Sequence, residues 1–392
     1  MKAARHWAVG LTGFCSFLNL YSPQAILPLL GQEFRAGAAE ISAIMTAGTL
    51  SVALIAPFTG TVADVLGRKR VIVIAMAIAV LPTIMQALAP SLEALIFWKF
   101  VQGLALPPIF AVTIAYVGEE WPRREAAAAA GIYTAGASLG GLSARFVTGV
   151  LADLVGWRSA FLVLAAVTLV SAVAVALMLP REQKFVRSDG FLASARQMLR
   201  HFRNPQLVAT YAVGFGTLFN FILTFTYVSF HLAAPPYGLS ASALGAIFLV
   251  YLVGTVLSPA VGRAIWRFGR RACMIGIIVS WMGGILLTLA APLTAVVVGL
   301  AICAGAGLPT QAISTGYVAI SAERGASSAV GLYVSAFYVG GSVGAALGGV
   351  AWIAGSWPAC VALVLTMLVV MATVVWTVWT PGTPVAPQRS IS

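Results

Sequence analysis

Apolar runs of about 20 residues or more recur along the whole chain, separated by short polar, glycine-bearing or basic stretches. Twelve are visible, at 7–30, 41–63, 71–89, 93–118, 126–151, 159–179, 206–231, 241–263, 272–291, 293–320, 326–353 and 357–380. A helix of that length crosses a hydrocarbon core of about 30 Å, and closes its own backbone hydrogen bonds while doing so. The pattern therefore predicts an all-α membrane protein with twelve transmembrane helices. Lys2 and Arg5 precede the first run as they would in a signal peptide, but the run is too long for one. It also holds Asn19, Gln24 and two prolines and has no small-residue cleavage pattern, so it is read as the first helix.

The second half of the pattern repeats the first. Gly13-Phe14-Cys15-Ser16-Phe17-Leu18-Asn19 matches Gly214-Phe215-Gly216-Thr217-Leu218-Phe219-Asn220 at an offset of 201, and Gly103 to Pro107 matches Gly305 to Pro309 at 202. Gly131, Tyr133, Gly140, Gly141, Gly149 and Trp157 recur as Gly331, Tyr333, Gly340, Gly341, Gly349 and Trp357 at 200. Six helices per repeat is an even number, so both halves enter the bilayer in the same sense. Two parallel, pseudo-symmetric six-helix bundles follow, 1–180 and 206–380, with a substrate path expected at their interface near the midplane. The polar stretch 181–205 between them reads as a cytoplasmic linker with a surface-lying helix, and 381–392 as a cytoplasmic tail.

Composition agrees with a membrane protein: 60% of residues are hydrophobic, 9% are charged and the mean hydropathy is +0.97. Of the 23 Lys and Arg residues, 19 fall on one side if the N-terminus is cytoplasmic; Arg35 and Arg158 fall on the other, and Lys99 and Arg145 lie within the membrane. This predicts a multi-pass membrane protein with both termini cytoplasmic. The net charge of +12 arises from those short loops, which argues against a nucleic-acid footprint. Cys15, Cys273, Cys303 and Cys360 lack metal or redox spacing, and the three histidines form no catalytic constellation. No enzyme, metal or cofactor chemistry is expected.

One stretch carries a specific signature. Gly60-Thr-Val-Ala-Asp64-Val-Leu-Gly67-Arg68-Lys69-Arg70 follows the second run, and a degenerate copy follows the eighth, with Gly262, Gly269, Arg270 and Arg271 retained and Trp266 where Asp64 stands. Gly60 and Gly67 permit close approach and a tight turn. Asp64 can accept from a neighbouring helix N-terminus or meet Arg68 or Arg70. Together with Gln102-Gly103 in the fourth run and Gly136, Gly140 and Gly141 in the fifth, this stretch resembles the major facilitator superfamily over essentially the whole chain. Within it, the Gly131 to Arg158 stretch and the chain length look like the twelve-helix drug-proton antiporter and sugar-efflux-like exporters. That branch has a Gly-Pro pair where Gly140-Gly141 stands.

The resemblance implies that Gly60, Asp64, Gly67, Arg68 and Arg70 latch the cytoplasmic ends, with Glu119 or Glu120 as partners. Gly262, Gly269 and Arg270 would form a weaker second latch. A solvated charge cluster that only fixes topology is the alternative. The resemblance also places the cavity wall on helices 1, 4, 7 and 10, where Asn19, Tyr21, Gln24, Gln102, Tyr116, Asn220, Thr224, Tyr227 and Gln311 are polar or aromatic. Asn19 and Asn220 occupy equivalent repeat positions and could face the centre as a pair, or each could bond between helices.

Lys99 and Arg145 carry the most information about cargo. A cation at the bilayer centre costs about 2.5–3.5 kcal/mol on insertion scales, so it lines a path, meets a partner or snorkels; Glu33, Glu40, Glu93 and Asp153 are the outer-side partners in reach. Lys99 shares a helix face with Gln102 and Gly103, and an ammonium, unlike a guanidinium, can lose its proton when buried. All eleven acids fall at helix ends or in loops. A cavity without carboxylates favours neutral amphipathic or anionic cargo over cationic drugs. The sequence is thus read as a secondary active, proton-coupled exporter, monomeric in the lipid bilayer, with a small molecule and protons as its partners. Organic-anion uptake or exchange is the first alternative. A non-transporting receptor on the same fold is the second, and would call for soluble sensory domains that the chain does not show.

Overall fold

The computed structural model describes residues 2–182, 200–322 and 326–380; the linker helix, Glu323, Arg324 and the tail fall outside them. Among the described residues the elements are helices alone, and they assemble into the twelve spans that the hydropathy pattern predicts. Span α1 is Lys2–Tyr21 continued by Leu27–Phe34, and α2 is Ala38–Ile55 continued by Thr59–Leu66. Spans α3 to α7 are Arg68–Ala87, Leu92–Glu120, Arg123–Val155, Trp157–Met178 and Pro205–Ala233. Span α8 comprises Ala241–Ile247, Tyr251–Leu257 and Val261–Phe268; α9 is Arg270–Leu287 and α10 is Leu293–Ser321. Ala326–Val378 is one helical run broken at Gly355 and Ser356, giving α11 at 326–354 and α12 at 357–378.

The interruptions have local causes. Pro57 sits in the tight turn Ala56–Phe58 and Pro259 in Ser258–Ala260, where a residue without an N–H cannot continue the ladder, so α2 and α8 are both interrupted at equivalent places and α8 bends there. Gly67 ends α2 at φ 90° and Gly269 ends α8 at φ 80°, a backbone state that glycine adopts without strain. The same device closes α5 at Gly156, φ 84°, but its repeat partner is Ser356, held at φ 52°.

Close packing follows the glycines. A Cβ on Gly136 would strike Gly10, and one on Gly140 would strike the Phe14 backbone, so α5 lies directly against α1; Gly340 and Gly344 meet Phe215 and Phe219 in the same way, joining α11 to α7. These are the two repeats of one interface, one in each six-helix bundle.

The bundles meet along only part of their length. Ser42 donates to the Ala345 carbonyl at 3.3 Å and Thr49 pairs with Ser342 at 2.8 Å, tying α2 to α11. Gly149 packs on Ala241 and Gly245, and Asp153 accepts from the Ser242 backbone N–H at 2.7 Å and from its hydroxyl, tying α5 to α8. All these contacts lie in the halves of the helices remote from Gly67 and Gly269. On the near side, Thr59–Leu66 packs on α3 and α4, and Val261–Phe268 packs on α9, each within its own bundle. No residue of Val261–Phe268 is buried. Among the described residues the seam is closed from its remote end to the Ala56–Phe58 turn, which packs on the 326–378 run, and Thr59–Leu66 and Val261–Phe268 lie beyond the closed part.

Candidate functional site at the bundle seam

Arg145 stands at the closed part of this seam. It follows Gly141 by one turn on α5, and Gly149 and Asp153 follow it at four-residue intervals, so one stripe of α5 runs from the guanidinium to the end of the helix against α8. The side chain is only 3% exposed. Its Nε donates to Gln24 Oε1 at 2.8 Å and its Nη1 to the Gly141 carbonyl at 2.6 Å. The guanidinium carbon lies 4.2 Å from the Tyr21 ring centre, 4.7 Å from that of Tyr251 and 4.9 Å from that of Phe248. Two bundles thus build one cage, with Tyr21 and Gln24 from α1 and the other two rings from α8. Gln24 extends it to α7 by donating to Thr226 Oγ1 at 3.4 Å. Among the described residues no carboxylate pairs with Arg145. Of the readings open for this cation, snorkelling towards Glu33, Glu40, Glu93 or Asp153 is not the one the structure shows: Glu33 pairs with Arg158, Asp153 bonds Ser242, and the rings shield the cation where it stands.

Lys99 belongs to a separate, sealed network inside the first bundle. Its ammonium donates to the Asn19 carbonyl at 2.6 Å and to Gln102 Oε1 at 2.9 Å. Gln102 Nε2 then donates to Asn19 Oδ1 at 2.9 Å and to Thr83 at 2.7 Å, while Asn19 Nδ2 reaches Thr168 at 2.9 Å. Lys99, Gln102, Thr83 and Thr168 are fully buried, and Gly48 of α2 lets the lysine stem pass. The network joins α1, α3, α4 and α6, so these side chains turn into the bundle. Asn220 does the same in the second bundle, with its Nδ2 3.5 Å from Met371 on α12. The two asparagines keep the repeat symmetry but do not face each other across the centre, because each points at the sixth helix of its own half.

The remaining sequence candidates scatter. The Tyr116 hydroxyl donates to the Pro180 carbonyl at 2.9 Å, near the Gly67 end of the bundle, and that of Tyr227 to the Ala345 carbonyl at 2.7 Å between α7 and α11. Thr224 is buried with its hydroxyl unpartnered, and Gln311 is partly exposed. Of the predicted cavity residues, the structure gathers Tyr21, Gln24 and Arg145. Phe248 and Tyr251 were not singled out, although their three-residue spacing puts both rings on one face of α8, where a cation could be sandwiched.

The charged stretch after α2 makes its own cluster. Arg68, at the start of α3, donates from Nε and Nη2 to both carboxylate oxygens of Glu119, and its Nη2 lies 3.3 Å from Asp64. The forked geometry suits a guanidinium. Lys69 N–H donates to Glu182 at 3.4 Å, beside Gly67. Arg70 is exposed outside this cluster, and Gly60 has open space where a Cβ would project. All partners belong to α2, α3, α4 and the segment after α6, so in this arrangement the cluster ties helices of one bundle and does not bridge two. The second copy differs as its sequence suggests: Arg270 stacks on Tyr317 at 4.4 Å, Trp266 is half exposed and Gly262 contacts nothing at its missing Cβ.

Comparison with known proteins agrees with this architecture. Residues 9–249 match the sequence profile of the Major Facilitator Superfamily. The chain is 30% identical to the inner membrane transport protein YnfM of Escherichia coli over 91% of its length and 85% of the relative's. It is 29% identical to an uncharacterized transporter of Buchnera aphidicola over 88% and 84%. The crystal structure of a point mutant of the nucleoside transporter NupG superposes with a TM-score of 0.79 at 16% identity, covering 96% of this chain and 100% of that one. Two six-helix repeats, the charged stretch between α2 and α3 and these similarities together make this chain a membrane transporter of the major facilitator superfamily.

Proposed function

We propose that this protein is a secondary active exporter that moves a small organic solute, anionic or neutral and amphipathic, out of the cell across the bacterial inner membrane. It works as a monomer with cytoplasmic termini, by alternating access and in exchange for protons. The observation that carries this reading is Arg145: a cation enclosed at the seam between the bundles, without an acid of the described residues to neutralise it. Such a site attracts negative or electron-rich cargo and repels cationic drugs. The half-closed seam supports alternating access, since parting α5 from α8 while closing the Gly67 side would expose the same cage to the opposite face. Gln24, Tyr21 and Arg145 hold solute in this reading, Asp64, Arg68 and Glu119 act in gating, and the Lys99 network keeps the first bundle rigid.

Uptake or exchange of an organic anion would use the same cation, and the sign of the coupling separates the two. In proteoliposomes, an exporter that exchanges solute for protons accumulates labelled solute when the lumen is acidic, and a proton symporter does so when it is alkaline. Counterflow screened over organic anions, neutral amphiphiles and organic cations reads the cargo class. Selective counterflow of cations would overturn the proposal.

A further inference from the structure

We propose that Arg145 is a receptor for a single carboxylate, and that the solute is a small monocarboxylate with a flat or aromatic body. This rests on the transport reading above and narrows its cargo. Three features of the cage point to it. First, the structure gives the guanidinium two hydrogen bonds, from Nε and Nη1, which leaves the Nη2 edge for a ligand. A carboxylate accepts a charge-assisted hydrogen bond there, and binds more strongly than a neutral acceptor. Second, the rings of Tyr21, Phe248 and Tyr251 stand 4.2, 4.9 and 4.7 Å from the guanidinium carbon, so a ligand on this cation is bordered by aromatic surface. That lays a ring attached to the carboxylate beside other rings. Third, the apolar wall continues from the cage: Phe17 lies 6.1 Å from Tyr21 and 6.3 Å from Phe110, which stacks on Tyr338 of α11 at 6.1 Å. A ring extending from the carboxylate would meet this row, where aromatic pairs contribute beyond their buried area.

One cation with one open edge sets the charge of the ligand. A dicarboxylate would leave its second charge among rings, with no second cation of the described residues at the cage, and burying that charge costs more than the body gains. An amide of the same shape would lose the charge-assisted bonds.

Benzoate, its isostere benzamide and the cationic benzylamine are probes for titration calorimetry on the purified protein in detergent. Benzoate should bind, with benzamide at least tenfold weaker and benzylamine silent. Gln24→Glu keeps the side-chain shape and places a carboxylate against the guanidinium, so it should fill the site from within and weaken benzoate at least tenfold while the protein stays monodisperse. Arg145→Gln should abolish benzoate binding. Equal affinity for benzoate and benzamide, or a Gln24→Glu protein that binds benzoate like the parent, would overturn the inference even if Arg145→Gln failed to fold. The proposals fail separately: counterflow of other solutes without benzoate binding removes the carboxylate site alone, and benzoate binding without any counterflow removes the transport reading alone.

Discussion

At the scale of single residues, the two repeats act as controls for one another. Gly156 and Ser356 perform the same turn before Trp157 and Trp357, yet only one of them is a glycine. A non-glycine residue held at positive φ costs about 1–3 kcal/mol. Ser356→Gly should therefore raise the thermal unfolding midpoint of the detergent-solubilised protein by about 2–4 °C, and Gly156→Ser should lower it comparably. The Arg68 cluster has the same two-copy logic. Asp64→Asn weakens a charged contact to Arg68, whereas Trp266→Phe alters an exposed ring. Transport in vesicles should fall several-fold for the first and stay near the parent value for the second, with equal amounts of protein in the membrane. Equal losses would mean that Asp64 only fixes topology.

At the scale of elements, the sequence reported the periodic features well and the interhelical ones poorly. Twelve apolar runs and the offset near 200 were legible because length and repetition survive without coordinates. The interruptions of α2 and α8 were less so: Pro57 and Pro259 mark them, but apolarity continues across both. Lys99 and Gln102 stood out as polar residues on one face, while Thr83 and Thr168, their partners, look like ordinary small residues in hydrophobic helices. Asn19 and Asn220 left two readings open for a related reason, since repeat equivalence reveals a shared environment but not which way that environment lies; the structure shows contacts between helices. The glycine ladder was legible as packing, and the structure gives it a partner. Gly140→Val drives a side chain into the α1 backbone and should cost about 1–3 kcal/mol or more. Gly131→Val, where no atom lies within 4 Å of the added carbon, should be tolerated. Chemical unfolding monitored by tryptophan fluorescence separates the two.

At the scale of the whole molecule, the two ends of the seam are held differently. Arg68, Glu119 and Asp64 stay within the first bundle, while Asp153 reaches across to Ser242 of the second. Asp153→Asn should loosen the closed end and shift the population towards the opposite access state. A cysteine at Ala241, which faces Gly149 in the closed seam, should become several-fold more reactive to a membrane-impermeant maleimide in that background. Unchanged labelling would show that Gly149 and the α2–α11 contacts close the seam without Asp153.

Arg145 without an acid has an electrical consequence. In an alternating carrier most of the membrane voltage falls across whichever end of the seam is shut, so a charge in the cage changes potential each time the seam switches. Moving one charge through 100 mV is worth about 2.3 kcal/mol. With a monocarboxylate seated, cage and cargo sum to zero, and the loaded switch is indifferent to voltage. Empty of solute and returning with its proton, the protein carries net positive charge through the field. Exchange of labelled for unlabelled solute should thus ignore an imposed potassium-diffusion potential. Net movement, which needs that solute-free return, should speed up or slow down with its sign.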